Sequence, residues 1–199
     1  MRLRSKPKAE EAAELTWRIR RMDDVASTMD EAAELARDGA PVGTVVTASF
    51  QTAGRGRNGN DWLAPAGTSL LATAIFRPEL VVVQDRALSS KIGERIRDAI
   101  DEVTGLTATV KEPNDLLVGE KKLCGILCQT SVRGDELDYL LVGFGINANI
   151  PADQLPLERA TSLLVETGRE VDLHRLLVCV LGHLAEIPGL ADLPIKYSL

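Results

Sequence analysis

Hydrophobic and polar residues alternate along this chain with two different spacings, one typical of strands and one typical of helices. Spacing of two, with many β-branched residues, predicts strands at seven places: 16–22, 44–50, 69–76, 107–111, 114–118, 122–130 and 137–146. Spacing of three and four predicts helices at four places: 9–15, 27–39, 88–103 and 172–185. The last three strands follow one another across short turns, which is typical of antiparallel hairpins. The order predicts an α+β fold, with a mixed, mostly antiparallel sheet and helices packed on one face.

The start of the first long helix carries a capping pattern. Ser27 can accept a hydrogen bond from the first turn, with Asp30 three residues later, and Gly39 ends the pattern. A helix N-terminus also suits an anion or a polar ligand group, so Ser27 and Thr28 are candidate binding residues. Capping alone is the simpler explanation of this pair.

The loop at 51–61 reads QTAGRGRNGND and is the most informative segment. Its glycines allow the backbone to approach a ligand closely. Arg55 and Arg57 can hold phosphate or carboxylate through charged hydrogen bonds worth about 1.5–3 kcal/mol each. A solvated loop without a ligand explains the composition equally well, and an RNA contact is a third interpretation. The scarcity of aromatic residues argues against RNA.

Two later segments combine polar side chains with glycines in strands. Lys111 ends a strand before Pro113 and suits a phosphate or carboxylate, while Asp115 suits Mg²⁺; a polar turn is the alternative. Gly125 and the glycines before Asn147 indicate close approach of a ligand or of a packed element. Asn147 can hydrogen-bond a base or a ribose, and a β-bulge is the competing interpretation.

Composition limits the classes of protein that remain. The chain has 199 residues, and 45% of them are hydrophobic, which excludes a disordered chain. Its net charge of −6 argues against extensive nucleic-acid binding. Three cysteines favour a reducing compartment, and we predict a cytoplasmic protein without a membrane span. Cys124 and Cys128 are interpreted as core or pocket-lining thiols, and His174 and His183 as structural or solvent-facing residues. No nucleophile elbow and no Walker A motif occur in the sequence.

Taken together and in this order, the segments resemble the biotin protein ligases. The matching stretch spans about residues 16–185. The motifs that carry the resemblance are Ser27-Thr28, Gln51 with the Gly54–Arg57 loop, Trp62 in W-x-x-P-x-G, Lys111–Asp115 for K-W-P-N-D, Lys122–Leu127 for K-x-x-G-I-L, Gly143–Asn147 for G-x-G-I-N, and Ala160–Leu163 for A-T-S-L.

The resemblance implies a fold like that of the class II aminoacyl-tRNA synthetases and biotin ligases. It also implies two half-reactions: biotin and MgATP give biotinyl-5′-AMP and pyrophosphate, and a lysine of a biotin carboxyl carrier domain then takes the biotin. Proximity and electrostatic stabilisation suffice for such a reaction, without a covalent enzyme intermediate.

The resemblance implies roles for individual residues. The catalytic residues are Lys111, which bridges the carboxylate and the α-phosphate, with Arg55 and Arg57. Biotin is bound by Ser27, Thr28, Gln51, Gly54, Arg55, Gly56, Arg57, Lys111, Gly125 and Ile126. ATP is bound by Arg57, Trp62, Asn114, Asn147 and Ala160, and Mg²⁺ by Asp115. On this interpretation Lys111→Ala lowers adenylation by orders of magnitude, and the loop at 54–57 closes over the ligand as a lid.

Two positions depart from the family pattern. Glu112 stands where the family has Trp, and Asn60 where it commonly has a further Arg. The loss of a cation at Asn60 is expected to weaken contacts with ATP or pyrophosphate, and Glu112 leaves room for a different acid. The alternatives are therefore a lipoate or octanoate ligase and a binding module that holds biotin or its adenylate without transfer.

The resemblance also gives an expected domain organisation. Residues 1–15 form a tail or short helix, and residues 16–199 form the catalytic domain. Neither an N-terminal winged helix nor a complete C-terminal SH3-like barrel is expected, so no DNA partner is predicted. The expected partner is a biotin carboxyl carrier domain, and a homodimer is left open.

Overall fold

The structure, a computed structural model, describes residues 15–191 and 195–196. The predicted helix at 9–15 lies outside the described residues except for its last position. Leu15 belongs to a short strand, which pairs in parallel with residues 195–196.

Most strands of the chain form one seven-stranded sheet. The strands are β1 (Leu15–Thr16), β2 (Arg18–Val25), β3 (Thr44–Gln51), β4 (Ser69–Phe76), β5 (Thr109–Lys111), β6 (Asp115–Val118), β7 (Lys121–Arg133), β8 (Glu136–Asn147) and β9 (Ile195–Lys196). The large sheet has the order β2-β3-β4-β8-β7-β6-β5. Within this seven-stranded sheet only β2 and β3 pair in parallel, and the remaining neighbours are antiparallel. The predicted α+β class with a mostly antiparallel sheet is confirmed.

Three of the helices begin and end near predicted positions, and two short helices, at residues 80–84 and 163–167, were not predicted. The helices are α1 (Thr28–Arg37), α2 (Leu80–Gln84), α3 (Leu88–Thr104), α4 (Leu163–Thr167) and α5 (Leu173–Ala185). The carboxylate of Asp172 caps α5 by accepting hydrogen bonds from the backbone N–H groups of His174 (2.8 Å) and Arg175 (3.1 Å). Gly105, with φ 74°, ends α3. Within residues 15–191, none of the helices has the length and apolarity to cross a membrane.

Helices cover both faces of the sheet, which corrects the prediction of helices on one face. Val45 packs on the side of α3 and α5, whereas its neighbour Val46 packs against α1. The cause lies in the central strands, since all eight residues of β4 are buried. A strand with two apolar faces requires cover on both sides.

The two helical layers differ in how much of the sheet they cover. Helices α3 and α5 pack against each other and form the larger core with Phe76, Leu116 and Ile146. Helix α1 contacts β3, β4 and β8 on the opposite face. On the same face, the loop after β3 covers part of β7. The candidate functional site lies under this loop.

Arg77 connects the end of α1 to the sheet, and its loss should destabilise the fold. Its guanidinium donates to the carbonyl oxygens of Ala36 (2.9 Å), Ala40 (3.2 Å) and Asp138 (2.6 Å) and pairs with the Asp138 carboxylate. We expect Arg77→Ala to lower the free energy of unfolding by about 2 kcal/mol, because several carbonyls lose a charged donor. Urea unfolding measures this change.

Arg133 supplies the matched control for this prediction. It pairs with the same carboxylate of Asp138 at 3.1 Å, but its side chain is 78% exposed. An exposed pair contributes about 0–1 kcal/mol, so Arg133→Ala should have little effect. Equal losses in the two variants would show that the carbonyl contacts of Arg77 contribute nothing.

Candidate functional site

An open cleft lies on the α1 face of the sheet, between the N-terminus of α1 and strand β7. It contains about 440 Å³ of empty space, the open solvent at its mouth included. Its lining is formed by Ser27, Thr28, Met29, Gln51, Arg55, Gly56, Arg57, Trp62, Leu71, Asn114, Lys122, Gly125, Ile126, Leu127, Gly143, Phe144 and Gly145. Most of the predicted site residues therefore meet in one place.

The floor of the cleft is made by two glycines that face each other across the β7–β8 ladder. Gly125 is paired in register with Gly145, and the indole of Trp62 lies on both. A Cβ atom on Gly145 would lie 2.5 Å from Trp62 Cε2, and one on Gly125 would lie 2.7 Å from Trp62 Cζ3. These two strand glycines thus provide a flat surface on which a planar group lies. A bulge was the competing interpretation of the glycines.

The glycine-rich loop after β3 holds Trp62 against this floor. The backbone N–H of Trp62 donates to the carbonyl oxygen of Gly54 at 2.9 Å, and the backbone N–H of Gly56 donates to that of Asn60 at 2.7 Å. A β-bridge joins the backbones of Arg55 and Asp61. These contacts close the loop into a small hairpin, so its sequence encodes a defined structure over the cleft.

The N-terminus of α1 supplies a chain of side-chain hydrogen bonds at one end of the cleft. Thr73 Oγ1 donates to Thr28 Oγ1 (2.9 Å), which donates to Gln51 Oε1 (3.0 Å). Gln51 Oε1 also accepts the backbone N–H of Thr28 at 2.8 Å. Ser27 is 1% exposed and caps the helix by accepting from the N–H of Met29. Thr73 was not among the predicted residues, although its position on β4 beside α1 fixes the Thr28 hydroxyl.

The two arginines of the loop have different surroundings. Arg55 forms an ion pair with Asp30 in the first turn of α1, and both side chains are about half exposed. The Arg57 guanidinium also lines the cleft, and within residues 15–191 no carboxylate lies within ion-pairing distance of it. Arg57 is therefore the more available of the two for an anionic ligand.

Lys122 is the cation that stands over the floor of the cleft. Its Nζ lies 5.6 Å from the centroid of the Trp62 ring and 2.8 Å from Asp115 Oδ1. Contact with the aromatic face and with the carboxylate holds the ammonium in position. Its side chain is 36% exposed, so it remains accessible to a ligand.

The prediction that Lys111 acts in the cleft is not supported by its position. Lys111 ends β5, the edge strand of the sheet, and its side chain is exposed and does not line the cleft. Asp115 pairs with Lys111 in the neighbouring strand, β6. The Asp115 carboxylate contacts Lys122. The residue that the structure brings into the cleft is Lys122, which sequence reasoning quoted in a motif but gave no role.

A β-bulge explains why the regular alternation of side chains along β7 does not predict the direction of the Lys122 side chain. In the β6–β7 ladder Leu116 pairs with Cys124 but Leu117 pairs with Lys122, so Leu123 is an extra residue. Both Leu123 and Cys124 are fully buried in the same core, as this irregularity requires. The extra residue reverses the side-chain direction, so Lys122 lies on the same face as Gly125.

The three remaining residues predicted to bind ATP, which are Asn114, Asn147 and Ala160, differ in position. Asn114 lines the cleft, and its amide donates to the carbonyl oxygen of Ile126 at 3.1 Å. Asn147 and Ala160 are buried and do not line it. The Asn147 amide donates to the Thr161 carbonyl at 3.0 Å, and Ala160 forms a bridge with Lys122. Both therefore support the segment that holds the backbone of Lys122.

The two cysteines of β7 pack in the core on the α3 and α5 side of the sheet and are not activated thiols. Cys124 is fully buried, and burial raises its pKa far above the usual value of a thiol. Burial also raises the pKa of Cys128 to about 11. Since the thiolate is the nucleophile, neither side chain is suited to covalent catalysis at neutral pH.

Known proteins resemble this chain in sequence and in fold. The bifunctional ligase/repressor BirA of Bacillus spizizenii is 34% identical over 164 residues, which are 79% of this chain and 50% of that protein. The biotin–[acetyl-CoA-carboxylase] ligase of Paracoccus denitrificans is 34% identical over 152 residues, which are 73% of this chain and 62% of that protein. The chain thus spans about half to three fifths of the length of these curated relatives.

A solved structure gives the same answer for the fold. The biotin protein ligase of Aquifex aeolicus, determined in complex with biotin and ATP, superposes with a TM-score of 0.72 and 31% identity. The match covers 85% of this chain and 69% of that one. The family model of the biotin/lipoate A/B protein ligases matches residues 23–147, the part that contains α1, the glycine-rich loop and the floor strands. The chain therefore belongs to the biotin/lipoate A/B protein ligase family.

Proposed function

We propose that this chain is the catalytic domain of a biotin protein ligase, which activates biotin with ATP and transfers it to a lysine of a biotin carboxyl carrier domain. The observation that carries the proposal is the cleft itself. Its glycine floor lies between hydrogen-bonding side chains at the α1 end and the ammonium of Lys122 at the other end. Biotin has the same asymmetry, with a polar ureido group at one end and a carboxylate at the other.

The α1 end of the cleft suits the ureido group. Gln51 Oε1 is occupied by Thr28, which leaves the Gln51 amide nitrogen as a donor. The buried Ser27 hydroxyl can still donate, and the Thr28 hydroxyl, which already donates to Gln51, can still accept. Because Thr73 holds the Thr28 hydroxyl, this end is ordered before a ligand binds, which lowers the entropic cost of binding.

The other end of the cleft suits the two reacting anions. Formation of an acyl adenylate brings a carboxylate oxygen against the α-phosphate, and pyrophosphate leaves. Lys122 is the cation that we assign to this step, and Arg55 and Arg57 of the loop are assigned to the phosphates. Preorganised positive charge stabilises the negative charge that develops there.

The loop also supports sequestration of the adenylate. Trp62 Nε1 is buried and has no hydrogen-bond partner among residues 15–191, so it offers a donor to a bound ligand. A closed loop keeps water from the mixed anhydride until the amine of an acceptor lysine attacks its carbonyl carbon and AMP leaves.

Magnesium enters this proposal with its substrate, as MgATP. Mg²⁺ binds phosphate oxygens and water together with one or two carboxylates, and Asp115 supplies one carboxylate beside the cationic end. Its contact with Lys122 at 2.8 Å makes metal binding and the position of Lys122 interdependent. We keep Asp115 as the proposed magnesium ligand.

We propose a carboxylase carrier domain as the acceptor and the cytoplasm as the setting of the reaction. The name of the Paracoccus denitrificans relative supports a carboxylase carrier domain as acceptor. The three free cysteines support a cytoplasmic location. Residues 16–199 remain the proposed catalytic domain, and a homodimer is one option for its assembly.

Exchange of labelled pyrophosphate into ATP, with biotin, lipoate and octanoate offered separately, tests the activity. We expect exchange with biotin and little with the two fatty acids, because only biotin has a ureido group to engage Thr28 and Gln51. Exchange led by lipoate or octanoate would assign the chain to the other branch of the family. Biotin binding without exchange for any acid would instead identify a binding module.

A further inference from the structure

A cluster of side chains that can bind a metal ion lies on the opposite face of the sheet from the cleft. Glu102 is on α3, and Cys179 and His183 are one turn apart on α5. One ligand atom from each of the three residues lies within 4.8 Å of the other two. The cluster opens into a surface groove between the two helices, which gives a path for entry from solvent.

The geometry brings together three ligand types from two packed helices. His183 Nε2 lies 2.9 Å from Glu102 Oε2. The i, i+4 spacing of Cys179 and His183 places both side chains on one side of α5. The His183 side chain is 19% exposed and that of Glu102 is 65% exposed, so the cluster is enclosed by the helices on one side and open on the other.

Thiolate, imidazole and carboxylate are the ligands that zinc takes in proteins. Zn–N and Zn–O distances of about 2.0–2.2 Å and Zn–S distances of about 2.3 Å put tetrahedral ligand atoms about 3.3–3.6 Å apart. The observed separations, from 2.9 Å to at most 4.8 Å, bracket these values. Small rotations of the three side chains would therefore form a coordination site without movement of the helices.

We propose that Glu102, Cys179 and His183 form a zinc-binding site that joins α3 to α5, with water as the fourth ligand. Glu186 is not needed as a ligand, because its carboxylate pairs with Arg95 at 3.4 Å and lies 3.9 Å from His183 Nδ1. Without metal, the His183–Glu102 contact joins the same two helices. The proposal is independent of the ligase reaction, since the site lies across the sheet from the cleft.

Metal binding at this site must displace the proton of Cys179. Burial raises the pKa of this thiol to about 11, and Glu102 beside it acts in the same direction, whereas Arg175 lowers it. The thiol is therefore protonated at neutral pH in the metal-free chain. Coordination by zinc requires the thiolate and releases this proton.

Titration of the chelator-treated full chain with Co²⁺ and with Zn²⁺ tests the proposal. Co²⁺ bound to a thiolate gives a sulfur-to-metal charge-transfer band, and Zn²⁺ should displace it at one metal per chain. Zinc should also raise the melting temperature and slow alkylation of Cys179, as measured by mass spectrometry. We expect Cys179→Ala to abolish the charge-transfer band and Glu102→Gln to weaken binding at least about tenfold.

Cys128→Ala is the matched control, because Cys128 is also a half-buried free thiol but lies on β7 away from the cluster. This variant should bind Co²⁺ as the unmodified chain does. The exposed side chain of Glu102 makes Glu102→Gln a variant that keeps the fold, as a metal-free melting curve checks. The absence of a charge-transfer band in the unmodified chain, or unchanged binding in Cys179→Ala, would overturn the proposal.

Discussion

Replacing Lys122 with alanine is expected to lower the rate of biotin adenylation by about two to three orders of magnitude. Lys122 stands over the glycine floor at the end of the cleft where the carboxylate and the α-phosphate meet in the proposed reaction. Both reactants are anions, and the transition state adds charge between them. Removal of the Lys122 ammonium leaves that charge without the counter-charge held beside it.

The fold should tolerate this substitution. Lys122 is 36% exposed, but the Asp115 oxygen that it contacts is buried, so loss of the ammonium should cost about 1–3 kcal/mol of stability. The backbone contacts with Arg159 and Thr161, which hold this part of β7, do not depend on the side chain. Urea unfolding of Lys122→Ala should therefore show a folded chain of moderately lower stability. Lys122→Arg should recover only part of the rate because its planar fork has a different geometry.

Lys111→Ala is the control that separates this assignment from the one made on sequence alone. Lys111 is exposed at the sheet edge and does not line the cleft, so its loss should change the exchange rate only a few-fold. Single-turnover formation of the adenylate measures both variants. A loss of orders of magnitude in Lys111→Ala, with near-normal turnover in Lys122→Ala, would return the catalytic role to Lys111.

Local patterns were sufficient to predict most of the fold. Capping by Ser27, the helical spacing over α3 and the two hairpins at β6–β8 are properties of neighbouring residues, and each appears in the structure near its predicted position. The loop at 54–57 was linked to a ligand by its match to the family motif, because its composition alone fits a solvated loop equally well. These predictions required no knowledge of distant contacts.

The features that could not be predicted depend on distant contacts. The position of α1 on its own face follows from burial of both sides of β4, which spacing within α1 does not reveal. The direction of Lys122 follows from a bulge opposite Leu116 and Leu117, visible only once β6 and β7 are paired. The mutual pairing of Gly125 and Gly145 under Trp62 likewise arises from the register of β7 and β8.

The second large effect is expected for Gly145→Ala, which should displace Trp62 from the floor. The new Cβ would lie 2.5–2.8 Å from three atoms of the indole ring, which is rigid, while Gly145 sits in a strand paired on both sides. Overpacking of this kind costs about 1–3 kcal/mol, so movement of Trp62 and its loop is the less costly response. The emission of Trp62 should shift to the red and become more accessible to a soluble quencher.

The chain offers sharp controls for the fluorescence measurement. It has two tryptophans, and the other, Trp17, is buried edge-on against Phe76 and provides a constant background. Gly143 lies two residues away on the same face of β8, but a Cβ there would meet the flexible side chain of Met29. Gly143→Ala should therefore leave the emission of Trp62 unchanged, and equal spectral shifts in both variants would show that β8 has moved as a whole.

The effect of Gly145→Ala on activity can be traced with a double-mutant cycle. If the substitution acts by displacing Trp62, it should lower adenylation by about ten- to a hundredfold in the unmodified chain and by much less when Trp62 is already alanine. Such non-additivity would identify Trp62 as the group through which the floor controls the reaction. An equal loss in both backgrounds would mean instead that the methyl group obstructs the substrate directly, and that the floor, without the indole, is the surface on which biotin binds.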